Sequence, residues 1–200
     1  KIDAAKISFE NGSFKLNDRT LSLAEVSVSM EKKGKTFETD NSWAPAPGTF
    51  TYPNGTHICE VEIDKYTGFV KIVSYTVVDD FGKVINPLLL EGQVHGGVAQ
   101  GIGQALFEET IFDKDSGQLL SGSFMDYAIP RASDIPEIKF KYNEIPCANN
   151  ILGVKGAGEA GAIGAPPAVI NAICNALDID HIDMPAKSEK IWKILNKSRL

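Results

Sequence analysis

Residues 155–167 read Lys-Gly-Ala-Gly-Glu-Ala-Gly-Ala-Ile-Gly-Ala-Pro-Pro, and this stretch decides most of what we expect of the fold and of the site. It belongs to one of two glycine-rich windows, residues 92–103 and 153–164. Together these windows hold ten of the 18 glycines of the chain, where even spacing would put about two. The clustering predicts two loops in which the backbone approaches something closely.

A nucleotide site is one hypothesis for this stretch, since Gly156, Gly158 and Gly161 match the pattern GxGxxG. Two features argue against it. Only 39 residues follow Gly161, whereas the motif opens a sheet that needs over about a hundred more. The pair Pro166-Pro167 is also expected to break the helix that the motif requires. We therefore disfavour a dinucleotide-binding fold.

Glu159 is the single carboxylate in the stretch, and Lys155 is the only other charged residue there. A carboxylate among Gly, Ala and Ile is either exposed at a loop tip or held in a poorly solvated pocket, where it can serve as a general base. The flanking glycines shift the balance toward the pocket, because they let backbone N–H groups line a ligand without interference from side chains.

The first glycine window, residues 92–103, has two interpretations. A glycine-rich helix start with free N–H groups favours anionic groups, and Gln93, Gln100 and Gln104 offer amides that donate and accept hydrogen bonds. Alternatively, the glycines allow a helix to pack tightly against a neighbouring element. Residues alone leave the two equally open. We expect this helix start and the loop before Ala162 to converge on one cleft.

The remaining pattern predicts an α+β fold, in which antiparallel strands and hairpins pack with three to four helices. Asn11-Gly12 predicts a first hairpin, and Ser22 with Glu25 forms a capping box before a helix over 23–30 that Gly34 ends. After a Pro-rich connection we expect further elements: strands over 57–64, 69–79 and 135–144, and helices from residue 87, over 168–177 and over 186–195.

Composition disfavours several classes of protein. The 20 basic and 26 acidic residues give a net charge of −6, which argues against nucleic-acid binding. Three widely spaced cysteines without a CxxC argue against a disulfide framework and favour a reducing, cytoplasmic compartment. No apolar run reaches about 18 residues, so we expect no membrane span. The histidines lack metal-ligand spacing, and we expect no metal held by protein ligands alone.

Five blocks of sequence follow one another in the order YPNGTH at 52–57, VDDFGKVINP at 78–87, GQVHGGVAQGIG at 92–103, FMDYAIP at 124–130 and KGAGEAG at 155–161. In content and order they resemble the C-terminal part of the molybdenum-binding large subunit of the xanthine dehydrogenase, aldehyde oxidase and carbon monoxide dehydrogenase family. The resemblance runs over roughly residues 50–193 and is far more specific than either glycine motif alone.

The resemblance implies a molybdenum hydroxylase that oxidises an aldehyde, an N-heterocycle or carbon monoxide with oxygen derived from water. The implied cofactor is molybdopterin with molybdenum, in the cytosine dinucleotide form usual in bacteria. Glu159 aligns with the glutamate that acts as general base in the family. The residues implied to lie along the cofactor are Gln93, Gly96, Gly97, Lys155, Gly156, Ala157 and Gly158.

Large subunits of this family are several times longer than 200 residues. The resemblance therefore implies three protein partners: the remainder of the large subunit, an Fe–S subunit and an FAD subunit. We divide the chain into a hairpin, helix and connection over 1–49 and a portion of a larger molybdopterin-binding domain over 50–200, and expect the piece alone to be inactive. The alternative function is a non-catalytic molybdopterin-binding or assembly module.

Overall fold

The computed structural model describes residues 3–35 and 50–197. The chain divides into two compact units, Lys1–Ala46 and Pro47–Leu200. Most of the Pro-rich connection predicted over 41–55 lies outside the described residues. The predicted domain boundary after residue 49 falls at the edge of that undescribed stretch and stays a prediction.

The first unit is a small antiparallel sheet followed by a helix. After a 3-10 turn at Ala4–Lys6, strands β1 (Ser8–Glu10), β2 (Ser13–Leu16) and β3 (Arg19–Ser22) pair in that order, and α1 spans Leu23–Glu31. The predicted hairpin is confirmed, and its turn residues Asn11 and Gly12 have φ of 49° and 74°. The capping box is also confirmed, since Ser22 Oγ accepts from the Glu25 N–H at 3.2 Å. β3 was not predicted.

The second unit contains the sheet β4 (Asn54–Ile63), β5 (Val70–Asp80) and β6 (Ile138–Asn143), in that order. β4 and β5 form the predicted antiparallel hairpin, although β4 begins at Asn54 rather than at residue 57. β6 pairs with β5 in parallel, with Ile138 opposite Tyr75. A parallel partner needs a long crossover, and the helix and loops between β5 and β6 supply it. The α+β class is confirmed, with one parallel pair among its antiparallel strands.

Within residues 50–197 the second unit also contains three α-helices, α2 (Pro87–Leu106), α3 (Ala160–Leu177) and α4 (Ser188–Leu195), and a 3-10 turn at Ala132–Asp134. Asn86 caps α2, because its Oδ1 accepts from the Leu89 N–H at 3.2 Å. α3 packs against α2 and β4. The core between helices and sheet is made of fully buried side chains, including Tyr75, Val77, Val94, Val98, Ile102, Val169, Ile173 and Ile191.

The predicted start of α3 after Pro166-Pro167 is wrong, because the helix begins at Ala160 and runs through both prolines. Neither proline can donate the helical hydrogen bond expected at its position. The helix persists because its buried residues recur along one stripe, which packs against α2 and β4: Gly161, Ala165, Pro166, Val169 and Ile173. By length and composition α3 is also apolar enough to cross a membrane, so the expected absence of a membrane span stays a prediction.

Candidate functional site

Two of the glycines in α2 serve close packing against α3. A Cβ added at Gly97 would lie 2.9 Å from the Cα of Gly161, and one at Gly161 would lie 2.5 Å from the backbone nitrogen of Val98. One turn further along, a Cβ at Gly101 would meet that of Ala165 at 2.7 Å. At Gly97 and Gly101 the structure therefore supports the packing interpretation.

One interpretation of the first glycine window, a helix start with free N–H groups, is wrong, because α2 begins at Pro87. The window lies inside α2, where backbone N–H groups are used by the helix ladder. The free N–H groups belong instead to α3, whose first helical hydrogen bond joins the Ile163 N–H to the Glu159 carbonyl at 2.9 Å. The N–H groups of residues 160–162 have no acceptor within the helix, so this end favours negative charge.

The start of α3 brings residues of the two glycine windows into contact. A Cβ at Gly158 would lie 3.6 Å from Gln93 Nε2, and one at Gly156 would lie 3.3 Å from Glu159 Oε1. Gly96, one turn beyond Gln93, is exposed, and a Cβ there would meet nothing within 4 Å. The structure thus gathers an amide, a carboxylate and open glycine backbone in one place.

Glu159 is exposed at the N-cap of α3, and its side chain makes no capping hydrogen bond. The exposed alternative of the sequence analysis is therefore the one observed. Glu159 also lines a cavity of about 280 Å³, whose other lining residues are Tyr52, Pro53, Asn54, Gly55, His57, Asp79, Ala160, Ile163 and Gly164.

A buried polar network forms one wall of this cavity. His57 lies with Nδ1 2.9 Å from the Tyr75 hydroxyl and Nε2 3.3 Å from Asp79 Oδ2. Burial raises the pKa of Tyr75. The His57 ring links the Tyr75 hydroxyl to the Asp79 carboxylate, which accepts the hydrogen bond from Nε2–H. A Cβ at Gly164 would lie 2.7 Å from the His57 ring, so the imidazole packs directly on α3.

A second buried acid, Asp80, holds the segment that leads to Glu159. Its Oδ2 forms an ion pair with Lys155 Nζ, and its Oδ1 accepts from the N–H groups of Gly82 at 2.8 Å and Ile145 at 3.1 Å. Burial alone would raise the pKa of Asp80, but these hydrogen bonds and the lysine charge outweigh it and lower the pKa. Sequence reasoning missed this contact, although two adjacent acids closing an apolar strand are a usable signal.

Neither of the other histidines lines the cavity next to Glu159. His95 Nε2 is 3.8 Å from Glu91 Oε1, and the exposed His181 pairs with Asp183 at 2.9 Å. Within residues 3–35 and 50–197, no three His, Cys, Asp or Glu side chains cluster closely enough to hold a metal ion.

Comparison with known proteins identifies the family. The family model for the molybdopterin cofactor-binding domain matches residues 1–136. The chain belongs to the family of molybdopterin-binding large subunits that includes xanthine dehydrogenase, aldehyde oxidase and carbon monoxide dehydrogenase. The family-model match ends at residue 136, so it does not include the Glu159 segment.

Among its relatives, the chain is 36% identical over 157 residues to the carbon monoxide dehydrogenase large chain of Hydrogenophaga pseudoflava, covering 77% of this chain and 19% of the relative. It is 43% identical over 143 residues to the nicotine 6-hydroxylase large subunit of Paenarthrobacter nicotinovorans, covering 70% and 17%. This chain thus spans about a fifth of the length of these relatives.

Solved structures give the same result for the fold. The Cu,Mo-containing CO dehydrogenase matches with a TM-score of 0.79 and 29% identity, over 98% of this chain and 26% of its own. Quinoline 2-oxidoreductase from Pseudomonas putida 86 matches with a TM-score of 0.76 and 31% identity, over 98% and 26%. These likenesses extend over the Glu159 segment.

Proposed function

We propose that this chain supplies part of the molybdopterin site of a molybdenum hydroxylase, in which Glu159 is the general base. One observation carries the proposal: Gln93, Gly156, Gly158 and Glu159 come together from two distant segments at the start of α3. The Glu159 carboxylate, the Gln93 amide and the N-terminal end of α3, which favours anions, therefore lie around one open surface.

The residues present fit a pterin cofactor with polar edges and a phosphate group. Gly96 and Gly158 expose backbone, and the Gln93 amide both donates and accepts hydrogen bonds. We propose that Gln93, Gly96, Gly156, Ala157 and Gly158 hold the cofactor, in its cytosine dinucleotide form. When bound, molybdopterin carries molybdenum and supplies the two-electron redox chemistry of hydroxylation.

Two of the predicted cofactor residues have other contacts. Gly97 is buried at the crossing of α2 and α3, and the ammonium of Lys155 is held by Asp80. A direct role of either residue at the cofactor stays a prediction.

The proposed task of Glu159 is to accept a proton beside the reacting atoms. Its carboxylate is not used to cap α3, so it is available as an acceptor at the edge of the cavity. The walls of Pro53, Ala160 and Ile163 are apolar, which suits an uncharged small molecule. Aldehydes, N-heterocycles and carbon monoxide are the substrate classes we propose.

The proposed enzyme is larger than this chain. Relatives carry names such as large chain and subunit gamma of a dehydrogenase complex. We propose as partners the remainder of the large subunit, an Fe–S subunit and an FAD subunit, in the cytoplasm.

The test is Glu159→Gln in the complete enzyme, compared with Glu62→Gln at an exposed position on β4. We expect kcat to fall by about 100-fold or more, because the amide cannot accept the proton. Molybdenum content should stay unchanged, and Glu62→Gln should keep full turnover. Unchanged kcat in Glu159→Gln would remove the general-base assignment. A complete complex that holds molybdopterin but turns over none of the substrate classes would favour the non-catalytic module.

A further inference from the structure

We infer that Lys155 is a positioning residue, which fixes the segment carrying Glu159 through its buried ion pair with Asp80 rather than by touching the cofactor. The inference rests on the proposed role of Glu159 as base. It concerns how the chain holds that carboxylate in place.

Asp80 joins three separate parts of the chain through one carboxylate. It accepts from Gly82 next to its own strand, from Ile145 after β6, and from the side chain of Lys155. The side chains of Asp80 and Lys155 are only 5% and 14% exposed. The Asp80 carboxylate is therefore satisfied by Lys155 and two backbone N–H groups, and the Lys155 ammonium by Asp80 and by Asn54 Oδ1 at 3.5 Å. Solvent screens the two charges little.

Backbone contacts hold the same segment against the end of β5. The Lys155 N–H donates to the Phe81 carbonyl at 2.9 Å, and the Lys83 N–H donates to the Gly153 carbonyl at 2.8 Å. Gly82 has a φ of +64°, and a Cβ there would lie 2.2 Å from the Gly153 carbonyl oxygen. The segment thus arrives at Lys155 in one defined position.

Beyond Lys155 the chain has few anchors before α3. Gly156 and Gly158 have no side chain to pack, and Ala157 is only half-buried. Glu159 is then held from the other side, where its carbonyl accepts the first hydrogen bond of α3 from Ile163. Glycine has wide conformational freedom. The position of the Glu159 carboxylate therefore depends on the Lys155 anchor upstream and on α3 downstream.

The first test measures amide hydrogen exchange in the 200-residue chain, which needs no cofactor. In Lys155→Met, we expect the amides of residue 155 and of Ile163 to exchange about tenfold faster or more, while Val77 in the centre of β5 is unchanged. The matched control is Lys83→Met, which removes the exposed pair between Lys83 and Glu144 beside the same segment. It should leave residues 155 and 163 unaffected.

Two further variants keep this test decisive if a buried unpaired carboxylate prevents folding. Asp80→Asn combined with Lys155→Met removes both charges and should still show the faster exchange. Lys155→Arg keeps the charge and should restore slow exchange. Equal acceleration at all three amides, or at none, would overturn the inference.

The second test uses the complete enzyme. Lys155→Met should lower kcat about tenfold or more with KM and molybdenum content unchanged, and should cause no additional loss in a Glu159→Gln background. Loss of molybdenum with unchanged exchange at residues 155 and 163 would instead make Lys155 a cofactor ligand and overturn the inference. Full kcat in Glu159→Gln would defeat the proposed base, while the exchange result still decides whether Lys155 anchors the segment.

Discussion

Asp79 and Asp80 are neighbours at the end of β5, yet they serve different parts of the molecule. Successive side chains of a strand point to opposite faces. Asp79 accordingly contacts His57 at the cavity, whereas Asp80 contacts Lys155 and the N–H of Ile145. Both are nearly inaccessible to solvent, at 3% and 4% exposed. Buried carboxylates persist only when paired, and each has a specific partner here.

The Asp80 pair predicts a dependence of stability on pH. The folded-state pKa of Asp80 is lowered by Lys155 and the backbone N–H groups, which outweigh the effect of burial. The pair therefore stabilises the fold above the unfolded pKa of Asp, about 3.9, and this contribution is lost as the pH falls through the folded pKa. We expect Asp80→Asn to cost about 3–5 kcal/mol near neutral pH.

The measurement is urea unfolding from about pH 7 to about pH 3. The difference in unfolding free energy between wild type and Asp80→Asn should shrink toward acid. The exposed Asp180→Asn serves as control and should follow the wild type. A difference between wild type and Asp80→Asn that stays constant with pH would contradict the assignment.

At the scale of elements, four of the five glycines of α2 divide into two groups. Gly97 and Gly101 let α2 approach α3, whereas a Cβ at Gly92 or Gly96 would meet open space. A glycine without a packing role lowers helix stability relative to alanine. The open glycines therefore need another reason, and at Gly96 the proposed cofactor surface provides one.

A glycine of α3 at its crossing with α2 and an open glycine of α2 should respond in opposite ways to the same substitution. Gly161→Ala should destabilise the fold by about 1–3 kcal/mol, since its Cβ would lie 2.5 Å from backbone that has to move. Gly92→Ala should stabilise it by up to about 1 kcal/mol. Thermal and urea unfolding of both variants check this. Equal effects of the two substitutions would show that the crossing tolerates a methyl group at Gly161.

At the scale of the whole molecule, the two units differ in how much they bury. None of the described residues 3–35 is buried, whereas the second unit contains the core around Tyr75 and Ile102. A segment of about 40 residues rarely folds without such a core. Residues 47–200 made alone should therefore keep a cooperative unfolding transition, and residues 1–46 made alone should not. Circular dichroism of the two pieces decides this.

The site surface also predicts what the chain does alone. The residues proposed to hold the cofactor lie on an open face. The chain also spans only 19% of the length of the carbon monoxide dehydrogenase large chain. We expect the purified 200-residue chain to retain no molybdenum and to oxidise no aldehyde or purine. A cofactor bound on an open face makes fewer contacts with the protein than one enclosed in a pocket. Metal analysis and turnover assays measure both. Stoichiometric metal with turnover would refute the prediction.

The sequence alone determined the short-range features of this protein and its family. Asn11-Gly12, the Ser22–Glu25 capping box and the Asn86-Pro87 helix start act over at most a few residues, so their signals can be read directly. The family was recognisable from ordered motifs, and the two glycine windows were expected to converge.

Only the tertiary structure decided which contacts those motifs make. It showed that α3 runs through Pro166-Pro167, that β6 pairs in parallel, and that Lys155 is bound by Asp80, 75 positions away. Propensity and spacing report the conformational preferences of residues that are close in sequence. The free energy of packing between distant segments is large enough to override these local preferences. The same packing determines which residue pairs with a buried charge.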